Sequence, residues 1–322
     1  MKSLRVDVLG LAFVLIWSSG YVAGALATEV IAPLAVTLWR FLVAALVLAA
    51  VAILRGERWP RGRELRAVAL VGVPMFAIQF GALYTALAEG MPASTTSLIA
   101  CSSPLLVAVI GFAARWERLT TAQWSGIGLG LVGLFVTLAD RVSRPPSLAA
   151  FGWTLLGLAA LAVGTIMQSR LRHGAGPTSI ASVELATGFA VLAVWAPLRG
   201  PISMPLTGQA LGSFAWISLV TGVGAPLLLF ALIRQRGATR ASSYLFVVPA
   251  VTALAAWPIL GTPIEPTTIA GLVVSGAGLW LASPARTVGG APARQQTAAA
   301  EDARPPLAQR VLARSSASRR AA

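Results

Sequence analysis

Apolar residues run along this chain in stretches of about twenty, separated by short polar connections. A membrane-crossing helix needs roughly 20 mostly apolar residues. The pattern predicts ten of them: Val6–Ala27, Pro33–Leu54, Ala67–Leu87, Ala93–Ala114, Ala122–Ala139, Ala149–Gln168, Ser179–Leu198, Ala210–Ile233, Ala241–Leu260 and Thr267–Ala282. The connections are too short to hold soluble domains. The first stretch ends in Ala25-Leu26-Ala27, as a secretory leader does, but its apolar run is too long for a leader core, and it has a counterpart near residues 150–170. It is read as the first helix.

The second half of the pattern repeats the first, 145 residues later and without a gap. Pro104 falls on Pro249, Gly126 on Gly271, Gly133 on Gly278, Leu119 on Ile264, Ser97 on Ser242 and Ala86-Leu87 on Ala231-Leu232. The duplicated unit is a bundle of five membrane helices, expected over residues 1–140 and 141–283. An odd number of spans per unit places the second copy upside down in the bilayer. The predicted fold is an all-α polytopic membrane protein of ten transmembrane helices in two inverted repeats, an arrangement that marks secondary transporters.

Charge changes the picture only once it is placed. The chain has 322 residues and a net charge of +14, which by itself suggests nucleic acid. Only 11% of residues are charged, however, against about 25% in a soluble domain. Of the 25 Lys and Arg, 21 lie in the termini and alternate loops of one side, three (Arg141, Arg144 and Arg199) on the other, and Arg40 within a span. Such a bias orients membrane proteins, so both termini are expected in the cytoplasm and no nucleic-acid partner is expected. From residue 284 to 322 the apolar runs stop, and a disordered basic tail weakly attracted to the membrane surface is predicted. The single cysteine, Cys101, cannot form an intrachain disulfide, and one histidine, His173, excludes a multi-histidine metal site. No cofactor is expected.

Charges inside apolar spans are costly, and each is a functional candidate. Arg40 stands seven residues after Pro33 in the second span, and Glu184 seven after Pro177 in the seventh. Each is roughly 10 Å in from its own end, hence roughly 5 Å from the midplane of a core about 30 Å thick. Three readings follow. Glu184 takes up and releases a proton while Arg40 holds a substrate carboxylate; the two form a permanent ion pair that locks the repeats; or Arg40 snorkels to the headgroups. Pro104 and Pro249 interrupt the fourth and ninth spans beside Thr95, Thr96, Ser97, Ser102 and Ser103 in one, and Ser242, Ser243 and Tyr244 in the other. Freed backbone carbonyls and hydroxyls there suit the wall of a watery cavity, or else plain helix packing. Trp17, Ser18, Ser19, Tyr21, Gln79, Tyr84, Thr165 and Gln168 complete the polar candidates. Gly126, Gly130 and Gly133, matched by Gly271, Ser275 and Gly278, form small-residue stripes suited to close helix packing as scaffold or as a homodimer contact.

Taken together, the stretch Ile16-Trp17-Ser18-Ser19-Gly20, Arg40 after Pro33, the prolines of spans four and nine, and the repeat ends carry a resemblance. Those ends read Glu117-Arg118-Leu119-Thr120 before Gly126, and Leu260-Gly261-Thr262-Pro263-Ile264 before Gly271. Over about residues 5–283 the chain resembles the EamA-like branch of the drug/metabolite transporter superfamily. It departs at Thr262, where the family pattern commonly has glutamate, and Glu184 matches no family motif. The resemblance implies export or exchange of small metabolites, amino acids or drugs across an inner membrane without ATP. The chain has no Gly-Lys-Ser phosphate loop of its own. The expectation is therefore a multi-pass transporter of the bacterial inner (plasma) membrane. It would export a small amino-acid-like molecule by alternating access, with proton or exchange coupling. Rival expectations are an uptake permease, a cationic-drug exporter, a channel or flippase, and an intramembrane enzyme, the last opposed by the lack of clustered catalytic side chains.

Overall fold

The computed structural model describes residues 2–115, 120–139, 147–171, 174–236 and 244–282. Among them there is no strand. The first repeat region contains α1 (Lys2–Thr28), α2 (Pro33–Leu54), α3 (Gly62–Gly72), a π-helical segment (Val73–Ile78), α4 (Gln79–Ala88), α5 (Ala93–Cys101), α6 (Ser103–Ala113) and α7 (Thr121–Ala139). The second contains α8 (Leu148–Arg170), α9 (Pro177–Arg199), α10 (Gly208–Ala215), another π segment (Trp216–Gly224), α11 (Ala225–Arg236), a 3₁₀ turn (Tyr244–Phe246), α12 (Val248–Leu260) and α13 (Pro266–Ala282). Seven helical rods are long and apolar enough to cross a membrane: Val8–Thr28, Pro33–Leu54, Gly62–Ala88, Ala93–Ala113, Leu148–Arg170, Pro177–Arg199 and Gly208–Leu229. Thr121–Thr137 and Val248–Leu260 are shorter apolar helices. The chain is a polytopic, all-helical membrane protein.

Prolines set many of the helix starts. Pro33, Pro104, Pro177 and Pro249 each occupy the first turn of a helix. That turn needs no donor from them, and their fixed φ is already helical. Pro104 and Pro249 therefore do not kink continuous spans, as the sequence suggests. The helical pattern breaks two residues before each proline, at Ser102 after α5 and at Val247 after the 3₁₀ turn, and a helix starts with the proline inside its first turn. Pro74 behaves differently. It lies inside a continuous rod, and the backbone there widens to π geometry over Val73–Ile78. The third rod also starts earlier than predicted, at Gly62. Its first turns carry Arg63, Glu64 and Arg66, so the helix extends into polar surroundings that an apolar-run criterion does not detect.

Small residues decide the packing, because lipid supplies no hydrophobic drive between helices. α7 lies along α13 with backbones nearly touching. A Cβ on Gly133 would stand 2.6 Å from the Gly271 carbonyl oxygen, and one on Gly278 would stand 2.7 Å from that of Gly126. Ser275 Oγ donates to the Gly130 carbonyl at 3.2 Å. The glycine stripes thus face each other within one chain. Phe135 (71% exposed) and Val273 (66%) point outward, as side chains bound for lipid do.

α2 packs along α9 in antiparallel fashion. Ser182 Oγ donates to the Ala45 carbonyl at 2.9 Å, while Gly188 meets the ring of Phe41. Each partner of this pair also abuts a π segment: α9 the one at Val73–Ile78, α2 the one at Trp216–Gly224.

Candidate functional site

Arg40 projects from α2 into a stripe of aromatic rings. Phe76, Phe80 and Tyr84 recur at four-residue spacing, so they line one face of the π segment and α4. Phe76 and Phe80 stack at 6.1 Å, and Phe41 packs edge-on against both, at 5.7 and 5.6 Å. The Arg40 guanidinium carbon lies 4.7 Å from the Phe80 ring centre, 5.5 Å from Tyr84 and 5.6 Å from Phe41, all within cation–π range. Its Nη1 donates to the Tyr84 hydroxyl at 2.5 Å. Arg40 is only 6% exposed, so it does not snorkel to the membrane edge, and its Nε has no hydrogen-bond partner. Tyr84 fits because α1 offers Gly24 opposite it, where a Cβ would stand 3.0 Å from the ring.

Glu184 lies on α9, 4% exposed. Its backbone presses on Gly72, where a Cβ would come within 2.9 Å of the Glu184 Cα. The Gln168 side chain, at the end of α8, lies near the carboxylate. The carboxylate Oε1 and the Gln168 Oε1 are both buried without partners. α8 comes this close because Gly164 faces Met75 and Gly157 faces the carbonyl of Gln79. Buried polar atoms are nearly always satisfied, and those that are not call for an explanation such as a water or a ligand.

The two charges belong to one helix pair yet do not form an ion pair. With Ala45 opposite Ser182 and Phe41 opposite Gly188, Arg40 and Glu184 sit about four residues apart along the pair, some 6 Å of helix rise. No ion pair joins them. A permanent lock between the repeats is therefore not what these side chains build.

The remaining candidates are spread over several contacts. Ser18 Oγ donates to the Val248 carbonyl at 3.1 Å, tying α1 to the start of α12 beside the buried Pro249. Trp17 is half-buried against Phe13, ring centres 5.3 Å apart. Ser19 accepts from Trp216 Nε1 at 2.8 Å and donates to the Ile16 carbonyl at 2.7 Å. The Tyr244 ring covers Gly10. Ser97 donates to the Ser94 carbonyl within its own helix at 2.8 Å. Ser103 is buried and Pro104 exposed, while Gln79 is buried at the head of α4. Ser242, Ser243, Glu117, His173 and the tail from 284 lie outside the described residues. Among the described residues no group of His, Cys, Asp or Glu is arranged to hold a metal ion.

Sequence reasoning passed over the aromatic surround of Arg40, although the Phe76-Phe80-Tyr84 spacing was visible. It also passed over Ser218, a buried hydroxyl without a partner in the second π segment, whereas Thr95, named from the sequence, is likewise buried without a partner. π segments often mark functional positions in helices.

Comparison with known proteins bears on this geometry. The model of the EamA-like transporter family matches residues 4–139 and again 148–283. An uncharacterized inner membrane transporter of Escherichia coli K12, YedA, is 28% identical over 265 residues, covering 80% of this chain and 82% of that protein. A Chlamydia trachomatis protein described as an S-adenosylmethionine/S-adenosylhomocysteine transporter is 27% identical over 276 residues, 78% of this chain and 80% of its own. A probable amino-acid metabolite efflux pump of Salmonella typhimurium is 24% identical over 216 residues, 63% of this chain and 71% of its own. A solved crystal structure shares the fold with a TM-score of 0.60 at 19% identity, covering 87% of this chain and 97% of that one.

Proposed function

Because the chain belongs to the EamA-like transporter family, we propose that it is a secondary transporter that exports small amino-acid-like metabolites across a bacterial inner membrane by alternating access. Ten spans are assigned: the seven long rods together with α7, α12 and α13. Two inverted repeats relate them, with both termini cytoplasmic. The recurrence of local irregularities supports this arrangement. The π segments begin at Val73 and Trp216, and the helix breaks at Ser102 and Val247 stand 145 residues apart.

The observation that carries the reading is the pair of buried charges on α2 and α9, unpaired with each other and each with an unsatisfied atom. A guanidinium kept from any carboxylate is suited to a substrate carboxylate. A buried carboxylate beside an amide is suited to take a proton or a substrate ammonium. One relative is described as an S-adenosylmethionine/S-adenosylhomocysteine transporter and another as a probable amino-acid metabolite efflux pump, which agrees with an amino-acid-like substrate. Arg40 and Glu184 are assigned the substrate and coupling roles, and Tyr84 positions Arg40. Trp17, Ser19, Gln79, Ser97, Ser103, Pro104, Ser242, Tyr244 and Pro249 are assigned to the surrounding wall. Any homodimer would use the outward faces of α7 and α13, since their glycine stripes are occupied within the chain.

One observation favours a second reading. Among the described residues Glu184 forms no ion pair, which leaves it suited to hold a cation, as a cationic-drug exporter or an uptake permease for amines requires.

The test is counterflow in proteoliposomes with radiolabelled amino acids and amines, comparing the wild type with Glu184→Gln and Arg40→Gln. The first reading expects amino-acid exchange that Arg40→Gln abolishes and that Glu184→Gln uncouples from pH. Exchange of amines alone, insensitive to Arg40→Gln, would favour the second. Normal flux in both variants, with lowered thermal stability, would remove both residues from the site.

A further inference from the structure

The first turn of α9 is held by a segment 121 residues upstream. The first N–H groups of a helix have no partner inside it, and Gly176 at the N-cap has no side chain to offer. Glu57, in the connection between α2 and α3, caps the turn instead. Its Oε2 accepts from the backbone nitrogens of Thr178 and Ser179 at 2.9 and 3.0 Å. Glu64, in the first turn of α3, accepts from Gly174 and Ala175 at 2.9 and 3.1 Å. The Arg58 carbonyl accepts from Gly176 N and Ser179 Oγ, both at 2.9 Å, and the Arg58 guanidinium reaches Glu64 at 3.5 Å. Below this polar layer Val68, Ala175 and Ile180 form a small apolar plug.

We propose that Glu57 and Glu64 form a gate that closes the arginine-rich end of the bundle over α9 and opens in each transport cycle. The inference rests on the transporter reading above. The joint links residues 57–64 to residues 174–179, segments of the two units that must part in alternating access. Arg58 is 68% exposed and Glu64 16%, so water reaches the outer edge of the joint, from which its bonds can break and re-form. Glu184 follows Ser179 by five residues, some 7–8 Å of helix rise, so releasing the start of α9 frees the helix that carries it. The other end of the α2–α9 pair is joined more sparsely, with one carboxylate bond, Glu29 Oε2 accepting from Gln209 Nε2 at 2.9 Å. Ala32 at the α2 N-cap makes no side-chain cap, and Trp39 Nε1 donates to the Ile202 carbonyl there at 2.8 Å, a bond between neutral groups. Glu57 and Glu64 act through α9 and are positioning residues.

Close packing provides the test. A Cβ on Gly176 falls 2.7 Å from the Glu57 Cβ, so cysteines at the two positions need to separate by about 1 Å to reach disulfide spacing. The variant Glu57→Cys/Gly176→Cys, in a Cys101→Ser background, is reconstituted and assayed for counterflow before and after oxidation. The gate predicts loss of exchange to the level of protein-free vesicles on oxidation and its return with dithiothreitol. Equal exchange in both states would show a static joint and overturn the proposal. A second measurement covers a failure of that variant to fold. Glu57→Gln/Glu64→Gln keeps the side-chain shapes, and it should speed alkylation of Ser182→Cys by a membrane-impermeant maleimide applied from the arginine-rich side. An unchanged rate also overturns the gate. Absence of counterflow in the wild type would instead count against the transporter reading, and the alkylation result would still stand.

Discussion

Arg40 and Tyr84, 44 residues apart in sequence, meet across the contact of α2 with α4 through a 2.5 Å hydrogen bond, and both are buried. The guanidinium has aromatic faces around it where a carboxylate would ordinarily stand. This leaves its charge available while its orientation is held.

Removing only the acceptor isolates the value of that bond. Tyr84→Phe keeps the ring and leaves Nη1 without a partner. A hydrogen bond to a charged group is worth about 1.5–3 kcal/mol, so the thermal midpoint of the detergent-solubilised protein should fall measurably. Arg40→Lys in the Tyr84→Phe background should not recover it, because an ammonium lacks the planar face that lies over Phe80.

The contact of α7 with α13 should tolerate no side chain. Gly133→Val or Gly278→Val forces the two backbones apart, at about 1–3 kcal/mol for an overpacked position. Gly128→Val is the control, since nothing lies within 4 Å of a Cβ there. Thermal unfolding of the three variants should show loss in the first two only.

Gly72 is expected to matter for transport as well as for stability. A Cβ there would stand 2.5 Å from the Glu184 carbonyl oxygen. Gly72→Ala must therefore shift α9 relative to α3 and carry Glu184 with it. Counterflow should drop by more than the accompanying loss of folded protein explains, as measured by flux per mole of monodisperse protein.

Ser18 and Thr252 share one acceptor. Both donate to the Val248 carbonyl, at 3.1 and 2.8 Å. Ser18→Ala leaves that carbonyl satisfied by Thr252, so the single change should cost no more than about 0.5–1.5 kcal/mol. A double-mutant cycle with Thr252→Val should give a cost for the pair above the sum of the single changes.

That the chain crosses a membrane many times is legible in its apolar runs alone. An apolar run of twenty residues leaves backbone polar groups no choice in lipid except a helix. The proline positions are legible for the same kind of local reason: Pro33 and Pro177 start helices because a first turn needs no donor from them. The repeated glycines announced a close helix pair, since only small residues allow backbones to touch. Arg40 and Glu184 stood out because charge inside a span is costly wherever it occurs.

Which groups meet depends on how the helices pack. Whether Arg40 pairs with Glu184 depends on the register of α2 against α9, which Ser182 on Ala45 and Gly188 on Phe41 set. That register holds the charges about a helical turn apart, and it leaves the rings of Phe80 and Tyr84 around the guanidinium. The cap on α9 was equally hidden. Gly176 offers no local partner, and Glu57 reaches the turn only because the chain returns beside it 121 residues later. Local preferences act over a few neighbouring residues, whereas helix register and long-range caps depend on side chains that only the folded bundle brings together.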